Sequence, residues 1–207
     1  MPFALPRRLC FRHDEMRLIE RLLHSGLLYD IVQHAVGADL IRRHLTPVMA
    51  GLGDGLVLDV GAGTGLYTSC IPSVARYVWY DRDVQKLRRF RTHHRSSPAV
   101  LGDATRLAFR DKSVDWTLCV NLTHHLSDPE LDVLLKEICR ITRRTTVIHD
   151  PIAVNRRVSS ALWRYDRGSH PRTREAMLSA AGSHLVVRRV IEFGRFHRYL
   201  LMVGEPT

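Results

Sequence analysis

The N-terminal apolar residues recur at helical spacing. Met16, Ile19, Leu22 and Leu23 form one series after Asp14, and Gly26 interrupts it. A second series runs through Ile31, Val32, Ala35 and Val36, then past Gly37 to Leu40, Ile41 and Leu45. The stretch from Pro47 to Gly55 ends it. From there the pattern changes to short continuous apolar runs alternating with helical stripes. Strands are predicted over Leu56–Val60, Ala75–Tyr80, Ala99–Leu101, Asp115–Val120 and Thr145–His149. A helix is expected to begin in the segment from Thr64 to Pro72. Another, capped by Asp83, carries Val84, Leu87, Arg88 and Arg91. Ser127-Asp128-Pro129-Glu130 reads as a capping box with proline in the first turn, opening a stripe of Leu131, Leu134, Leu135 and Ile138. A short helix is expected over Val154–Tyr165. Thr173 caps a further one through Ala176, Met177 and Ala180, and Gly182 stops it. Leu185–Glu192 and Phe196–Val203 then form a hairpin about Gly194.

Strand–helix alternation with a terminal strand pair predicts an α/β fold, three layers around a mainly parallel sheet. Residues 1–54 read as a helical cap or flank of the same domain, where Tyr29, His34 or His44 meets substrate. Residues 55–207 form the main domain, with 151–172 as a lid insertion.

Composition narrows the class. The chain has 207 residues, 31 Lys and Arg against 21 Asp and Glu, and a formal charge of +10. Only Lys86, Lys112 and Lys136 are lysines, so the excess is arginine. It can steer anionic partners, or simply reflect coding bias. With no appended RNA-binding module and no stacking aromatics, nucleic acid is not the expected partner. Cys10, Cys70, Cys119 and Cys139 form no CxxC pair, which suits a reducing cytoplasm rather than a disulfide scaffold or zinc site. No apolar run reaches the ~18 residues of a membrane span. The N-terminus lacks a signal-peptide core, and Asp14, Glu15 and Glu20 spoil a transit signal.

The chemistry centres on Val57-Leu58-Asp59-Val60-Gly61-Ala62-Gly63-Thr64-Gly65. A strand feeding a glycine-rich loop and then a helix N-terminus is a cofactor-site pattern. Asp59 repels a pyrophosphate but suits a ligand with a positive end. The third glycine comes one position too early for a dinucleotide loop, and no nucleoside-triphosphate loop is present. Asp81, at the next strand end, can accept both hydroxyls of a ribose. Asp103 closes the third strand.

With Asp81 and the segment Gly102-Asp103-Ala104-Thr105-Arg106-Leu107-Ala108-Phe109, this glycine motif resembles that of class I S-adenosylmethionine-dependent methyltransferases, particularly the small-molecule group. The resemblance covers residues 55–150 well and the terminal strands more weakly. It implies a Rossmann-like α/β/α fold with a seven-stranded sheet whose last strand is antiparallel. It implies that Gly61, Ala62, Gly63 and Gly65 line the methionine part of S-adenosyl-L-methionine, with Asp59 near its amino group. Asp81 then holds the ribose, Arg82 lies beside the adenine, and Asp103 and Ala104 bind the adenine. Asn121 and Leu122 flank the methionyl end. The product is S-adenosyl-L-homocysteine. Ala108 stands where the family commonly has proline.

Such a transfer needs an aligned nucleophile and, where required, a base. His125 is the first candidate, then His124, then His149. Asp150 can orient a histidine or hold a substrate donor. Tyr165 and His170 are further substrate contacts, beside Tyr29. Asn121-Leu122-Thr123-His124 is not the signature of exocyclic-nitrogen methylation. Neither a proline–cysteine loop nor a lysine–aspartate–lysine–glutamate set is present. His149 and Asp150 lack a further carboxylate, so no metal is expected. The reading is methyl transfer to a small organic acceptor, O-directed, of a quinone-like or lipid-like kind. RNA or protein methylation, a non-catalytic binding protein and an NAD-dependent reductase are the alternatives. Oligomeric state is left open.

Overall fold

The computed structural model describes residues 37–154, 170–194 and 198–207. The chain divides into two units, Met1–Ala38 and Asp39–Thr207. The second holds the elements that follow, save Ala38, the first residue of the first helix. Helix α1 spans Ala38–Ala50, β1 Gly55–Val60, β2 Ala75–Asp81, α2 Val84–His93 and β3 Ala99–Leu101. Then come β4 Val114–Val120, α3 Asp128–Ile141, β5 Thr142–Ile152, α4 Arg174–Gly182, β6 Leu185–Phe193 and β7 Arg198–Pro206.

One seven-stranded sheet runs in the order β3-β2-β1-β4-β5-β7-β6. Strands β1 to β5 pair in parallel, and β7 is antiparallel to both β5 and β6. The fold is therefore Rossmann-like α/β/α. The reversal between β3-β2-β1 and β4-β5 leaves a switch point at the carboxyl ends of β1 and β4, where ligands bind in such sheets.

Alternate strand residues serve opposite faces. Leu58, Val60, Cys119, Ile148 and Leu200 pack with the α3 stripe Leu131, Leu134, Leu135, Ile138 and with Met177 and Ala181 of α4. Val57, Leu118, Val120, Val147 and Leu201 pack on the other face with Ile41, Leu45, Val48 and Met49 of α1. Trp79 and Phe90, with Ala62, fill the core beneath α2.

The capping signals act as read. Glu130 accepts from the backbone N–H and hydroxyl of Ser127, at 2.8 and 2.6 Å. Asp83 Oδ1 accepts from Gln85 and Lys86 N–H, and Thr173 Oγ1 accepts from Ala176 N–H.

Helix α1 ends at Ala50, inside the stretch from Pro47 to Gly55 read as its stop. The proline sits in its last turn, where it costs one helical hydrogen bond while Val48 and Met49 stay buried. Two expectations change. The segment after the glycine loop forms only a 3-10 turn, Thr68–Cys70. Between Gly65, with φ at +81°, and Pro72 too few residues remain to nucleate an α-helix, and Ile71 is extended as a pre-proline residue should be. Strand β5 is longer than Thr145–His149, because β7 pairs with it out to Ile152. Pro151 lies past the end of β4, so its missing N–H breaks no bond to that strand. The helix expected over Val154–Tyr165 falls almost entirely outside the described residues, as does Phe196.

Candidate active site

Buried strand β1 delivers Asp59 and then the loop at its carboxyl end. Gly61, Gly63 and Gly65 all adopt positive φ, at +74°, +57° and +81°. The loop is fastened to β2. Tyr80 O accepts from the N–H groups of Gly61 and Ala62 at 2.8 and 3.1 Å. Gly63 N–H donates to Asp81 Oδ2 at 2.9 Å, and the Trp79 indole N–H donates to Gly63 O at 2.8 Å. A Cβ on Gly65 would lie 2.5 Å from the Phe90 ring. Leu122 packs on Gly61, joining the loop to the segment after β4.

Asp59 is buried and accepts from Tyr77 OH at 2.8 Å. Burial pushes its carboxyl up to about 7. The Tyr77 hydrogen bond offsets part of this and Asp81 adds to it. A carboxyl poised there gains most from a ligand carrying an ammonium, which suits the expected aminoacyl end of S-adenosyl-L-methionine. The expected helix dipole is missing, since only a 3-10 turn follows the loop. Anion preference at this point therefore rests on loop amides alone.

Asp81 Oδ1 accepts from Asp83 N–H and Oδ2 from Gly63 N–H, both at 2.9 Å. Each oxygen keeps a second lone pair for a ribose hydroxyl. Asp103 is exposed, and Oδ1 accepts from the Thr105 N–H and hydroxyl. The Thr105 bonds, backbone first, hold its carboxyl below the usual value, and Arg82 contributes through its charge. Ala104 packs at the edge of the core.

Sequence reading missed the supports of this segment. Tyr80 OH donates to Asp103 O and Arg106 O. Leu107 N–H donates to Glu137, while Arg140 holds the carbonyls of Leu107 and Phe109. Only the spacing of Glu137 and Arg140 on α3 hinted at a pair.

Past β4, Asn121 takes φ +55°. Its N–H donates to His149 O at 2.9 Å and Nδ2 donates to Tyr67 OH at 3.4 Å, while Oδ1 is buried without a partner. Thr123–His125 then forms a 3-10 turn. His124 is buried, with Nδ1 on Asp150 Oδ1 and its N–H on Asp150 Oδ2. Thr123 Oγ1 also donates to Oδ2. The His125 ring lies 4.1 Å from that of His124. Burial alone would raise Asp150; the charge and hydrogen bond of His124, with Thr123, outweigh it and keep the carboxyl low.

Of the two roles read for Asp150, orienting a histidine or holding a substrate donor, these contacts match the first: both oxygens already serve Thr123 and His124. His149 and Asp150 do not form one cluster. They are adjacent on β5 and face opposite sides of the sheet: Asp150 meets the 3-10 turn below α3 and α4, and His149 faces the α1 side. Arg172, which carried no sequence signal, is buried and donates to the carbonyls of Thr123 and Leu126 and to Asp128. It clamps the turn that presents His124 and His125. His170 is exposed, and only its backbone N–H reaches this turn, at His124 O. Tyr29, His34 and Tyr165 lie outside the described residues. His44, on α1, stacks on Phe193 with ring centroids 4.0 Å apart. No group of three or more His, Cys, Asp or Glu among the described residues is arranged to hold a metal.

His149 is fully buried with neither ring nitrogen hydrogen-bonded. Burial lowers its pKa from 6.5 to about 4; Asp150 opposes this, and His124 and His44 reinforce it. The folded value lies below the unfolded one. Between these values the unfolded chain takes up a proton the fold refuses, so this group's contribution to stability falls as pH drops from 6.5 towards 4. Asp59, raised in the fold, runs the opposite way. A mutant difference separates them: the stability of His149→Phe relative to wild type should rise by about 2 kcal/mol between pH 7.5 and pH 5 in urea titrations. A pH-independent difference would refute the burial of a neutral imidazole.

A family model described as a methyltransferase domain matches residues 58–148. A demethylmenaquinone methyltransferase of Mycobacterium sp. (strain KMS) is 31% identical over 166 residues, covering 76% of this chain and 69% of that protein. An uncharacterized methyltransferase of Mycolicibacterium gilvum (strain PYR-GCK) is 36% identical over 90 residues, covering 42% of this chain and 34% of that protein. The chain spans 34% to 45% of the length of the uncharacterized methyltransferases it matches. Among solved structures, a chain from the complex of the Haloferax volcanii Trm112 methyltransferase activator with a methyltransferase superposes with TM-score 0.74. Identity there is 17%, covering 89% of this chain and 95% of that one, so the likeness is one of fold.

The chain belongs to the class I S-adenosylmethionine-dependent methyltransferases. S-adenosyl-L-methionine is the cofactor of that class, and S-adenosyl-L-homocysteine the product it leaves. No helix among the described residues is long and apolar enough to cross a membrane.

Proposed function

We propose that this protein transfers a methyl group from S-adenosyl-L-methionine to an oxygen of a small organic acceptor. The observation that carries the reading is the buried Asp150–His124 pair on the turn directly after Asn121 and Leu122. A hydroxyl nucleophile has a proton to lose, and a carboxylate-oriented imidazole beside the transfer centre is suited to take it. The bound cofactor supplies a methyl group already activated on a sulfonium.

Each part of the site then has a task. Asp59 and the loop of Gly61, Ala62, Gly63 and Gly65 hold the aminoacyl end. Asp81 binds the ribose, and Arg82, Asp103 and Ala104 bind the adenine. Asn121 and Leu122 border the transfer centre. His124, oriented by the carboxylate, and His125, whose ring lies against it, are the proposed bases; Asp150 and Arg172 position their turn. His149, kept neutral, is the weakest base of the set. The demethylmenaquinone methyltransferase relative supports a quinone-like acceptor. Residues 1–54 are proposed as a cap or flank and 151–172 as a lid, with Tyr29, Tyr165 and His170 as substrate contacts. The unpaired cysteines Cys70, Cys119 and Cys139 suit the reducing cytoplasm as its location.

The test is transfer from methyl-labelled donor to a panel of phenols, quinols and hydroxy acids, with bulk RNA and protein as comparison acceptors. Label on a hydroxyl oxygen supports the reading. Label confined to RNA or protein overturns it, and donor binding without turnover makes the chain a binding protein.

A further inference from the structure

Tyr80 stands beside Asp81 at the end of β2. Its carbonyl oxygen accepts from the N–H groups of Gly61 and Ala62 in the glycine loop, at 2.8 and 3.1 Å. Its buried side chain ends beneath the segment that follows β3. There the hydroxyl donates to Asp103 O at 3.1 Å and Arg106 O at 3.3 Å, one proton shared between two carbonyls. The ring tilts against Phe109 with centroids 6.0 Å apart. Gly102 leaves the space that the phenol occupies: a Cβ there would lie 2.1 Å from the hydroxyl oxygen. Burial raises the phenol above its ordinary pKa, with an Ala108 backbone hydrogen bond offsetting part of the rise, so the group stays a neutral donor. One residue thus ties two loops to the strand end that carries Asp81.

Asp103 is the exposed group that this arrangement presents. The Thr105 N–H and hydroxyl both donate to Oδ1, each at 2.8 Å. Oδ2 receives no hydrogen bond among the described residues. The main-chain oxygen is pinned by Tyr80 and one carboxylate oxygen by Thr105, so the direction of Oδ2 is set from both ends. Glu137 and Arg140 hold Leu107 and Phe109, farther along the same segment, and leave Asp103 to Tyr80 and Thr105. An ionised carboxylate oxygen can only accept. A nucleobase that presents an exocyclic amino group satisfies it. One with a carbonyl at that place sets two acceptors face to face.

We infer that Tyr80 is a positioning residue for nucleobase specificity: its hydroxyl holds the Asp103 segment so that Oδ2 selects the amino group of adenine over the carbonyl of hypoxanthine. The inference rests on the reading of Asp103 as an adenine contact and adds the group that aims it. A phenylalanine at this position would fill the core equally well. The hydroxyl adds a desolvation cost that only its bonds to the loop carbonyls offset, so its contribution is the placement of that loop.

The test is calorimetric titration of S-adenosyl-L-homocysteine and of S-inosyl-L-homocysteine, which carries hypoxanthine, into the full chain. Wild type should prefer the adenine ligand about 30-fold, and Asp103→Ala should bring the ratio to about one. Tyr80→Phe keeps the ring and the carbonyl that holds the glycine loop. It should reduce the preference to within about threefold, almost wholly through weaker binding of the adenine ligand. The rise in affinity with pH that Asp59 sets should persist in this variant. In the Asp103→Ala background, Tyr80→Phe should change the ratio no further, the coupling expected of residues that act through one contact. Gly102→Ala, whose methyl evicts the hydroxyl, should give the same loss of preference and serves if Tyr80→Phe fails to fold. A full preference retained in Tyr80→Phe, or equal weakening of both ligands, overturns the inference and leaves the cofactor site intact. A wild type that prefers neither ligand overturns the Asp103 reading and this inference with it. Failure to bind S-adenosyl-L-homocysteine overturns the methyltransferase reading itself.

Discussion

Asp150→Asn will lower the turnover number by about 10²-fold or more at saturating donor, the range expected when a base loses its orientation. The carboxylate now fixes the His124 tautomer by accepting at Nδ1, and Thr123 shares it. An asparagine has the same shape but presents an amide NH₂ on one side, facing groups that donate. It can satisfy only part of the set, and the negative charge that favours protonated His124 is gone. The pH–rate profile should change with the magnitude. If the pair titrates with the acceptor's proton, the ascending limb should move to lower pH in the variant, because an imidazole without the carboxylate loses its proton more easily. Affinity for S-adenosyl-L-homocysteine should stay within about twofold, since Asp150 faces away from the α1 side of the sheet, where Asp59 lies. An unchanged turnover number would remove the His124–Asp150 pair from the mechanism.

Gly65→Ala should be the most damaging change in the cofactor loop. Alanine at φ +81° costs about 1–2 kcal/mol. The added methyl meets the Phe90 ring at 2.5 Å. Phe90 is fully buried and stacks on both Trp79 and His94, so it cannot swing clear without loss elsewhere. Overpacking of this kind costs about 1–3 kcal/mol more. The urea midpoint should fall by the equivalent of about 2–4 kcal/mol, and cofactor affinity should fall with it. Gly63→Ala is the control: it also has positive φ, but its Cβ would meet nothing closer than 4.0 Å, so it should lose only the backbone share. Equal losses at the two positions would show that the Phe90 contact is irrelevant.

The fold was legible where local chemistry is self-sufficient. Ser127 and Glu130 satisfy each other within four residues, and Asp83 and Thr173 cap their own helices, so those starts could be read directly. The run Val57–Val60 and its glycines were equally plain, because buried parallel strands are continuously apolar. What failed depends on partners far along the chain. The extension of β5 to Ile152 exists because β7 lies beside it. The 3-10 turn at Thr68 is the exception, a local effect of the short span between Gly65 and Pro72. Asp150 and His149 looked alike in sequence as a strand-end pair. Only the pleat sends one into a satisfied hydrogen-bond cluster and the other into unpartnered aromatic surroundings. Arg172 was invisible for the same reason: its partners Thr123 and Leu126 lie more than forty residues away.

The central claim is a site for S-adenosyl-L-methionine built on Asp59, and its product is the cleanest probe. S-adenosyl-L-homocysteine should titrate calorimetrically into the full chain at one site per chain. With Asp59 raised to about 7, the ligand's ammonium must draw off a proton in the lower pH range. Affinity should therefore rise about tenfold from pH 6 to pH 8. In Asp59→Asn binding should be weaker and the pH dependence lost. Absence of binding at either pH, or binding whose pH dependence persists unchanged in Asp59→Asn, would contradict the account.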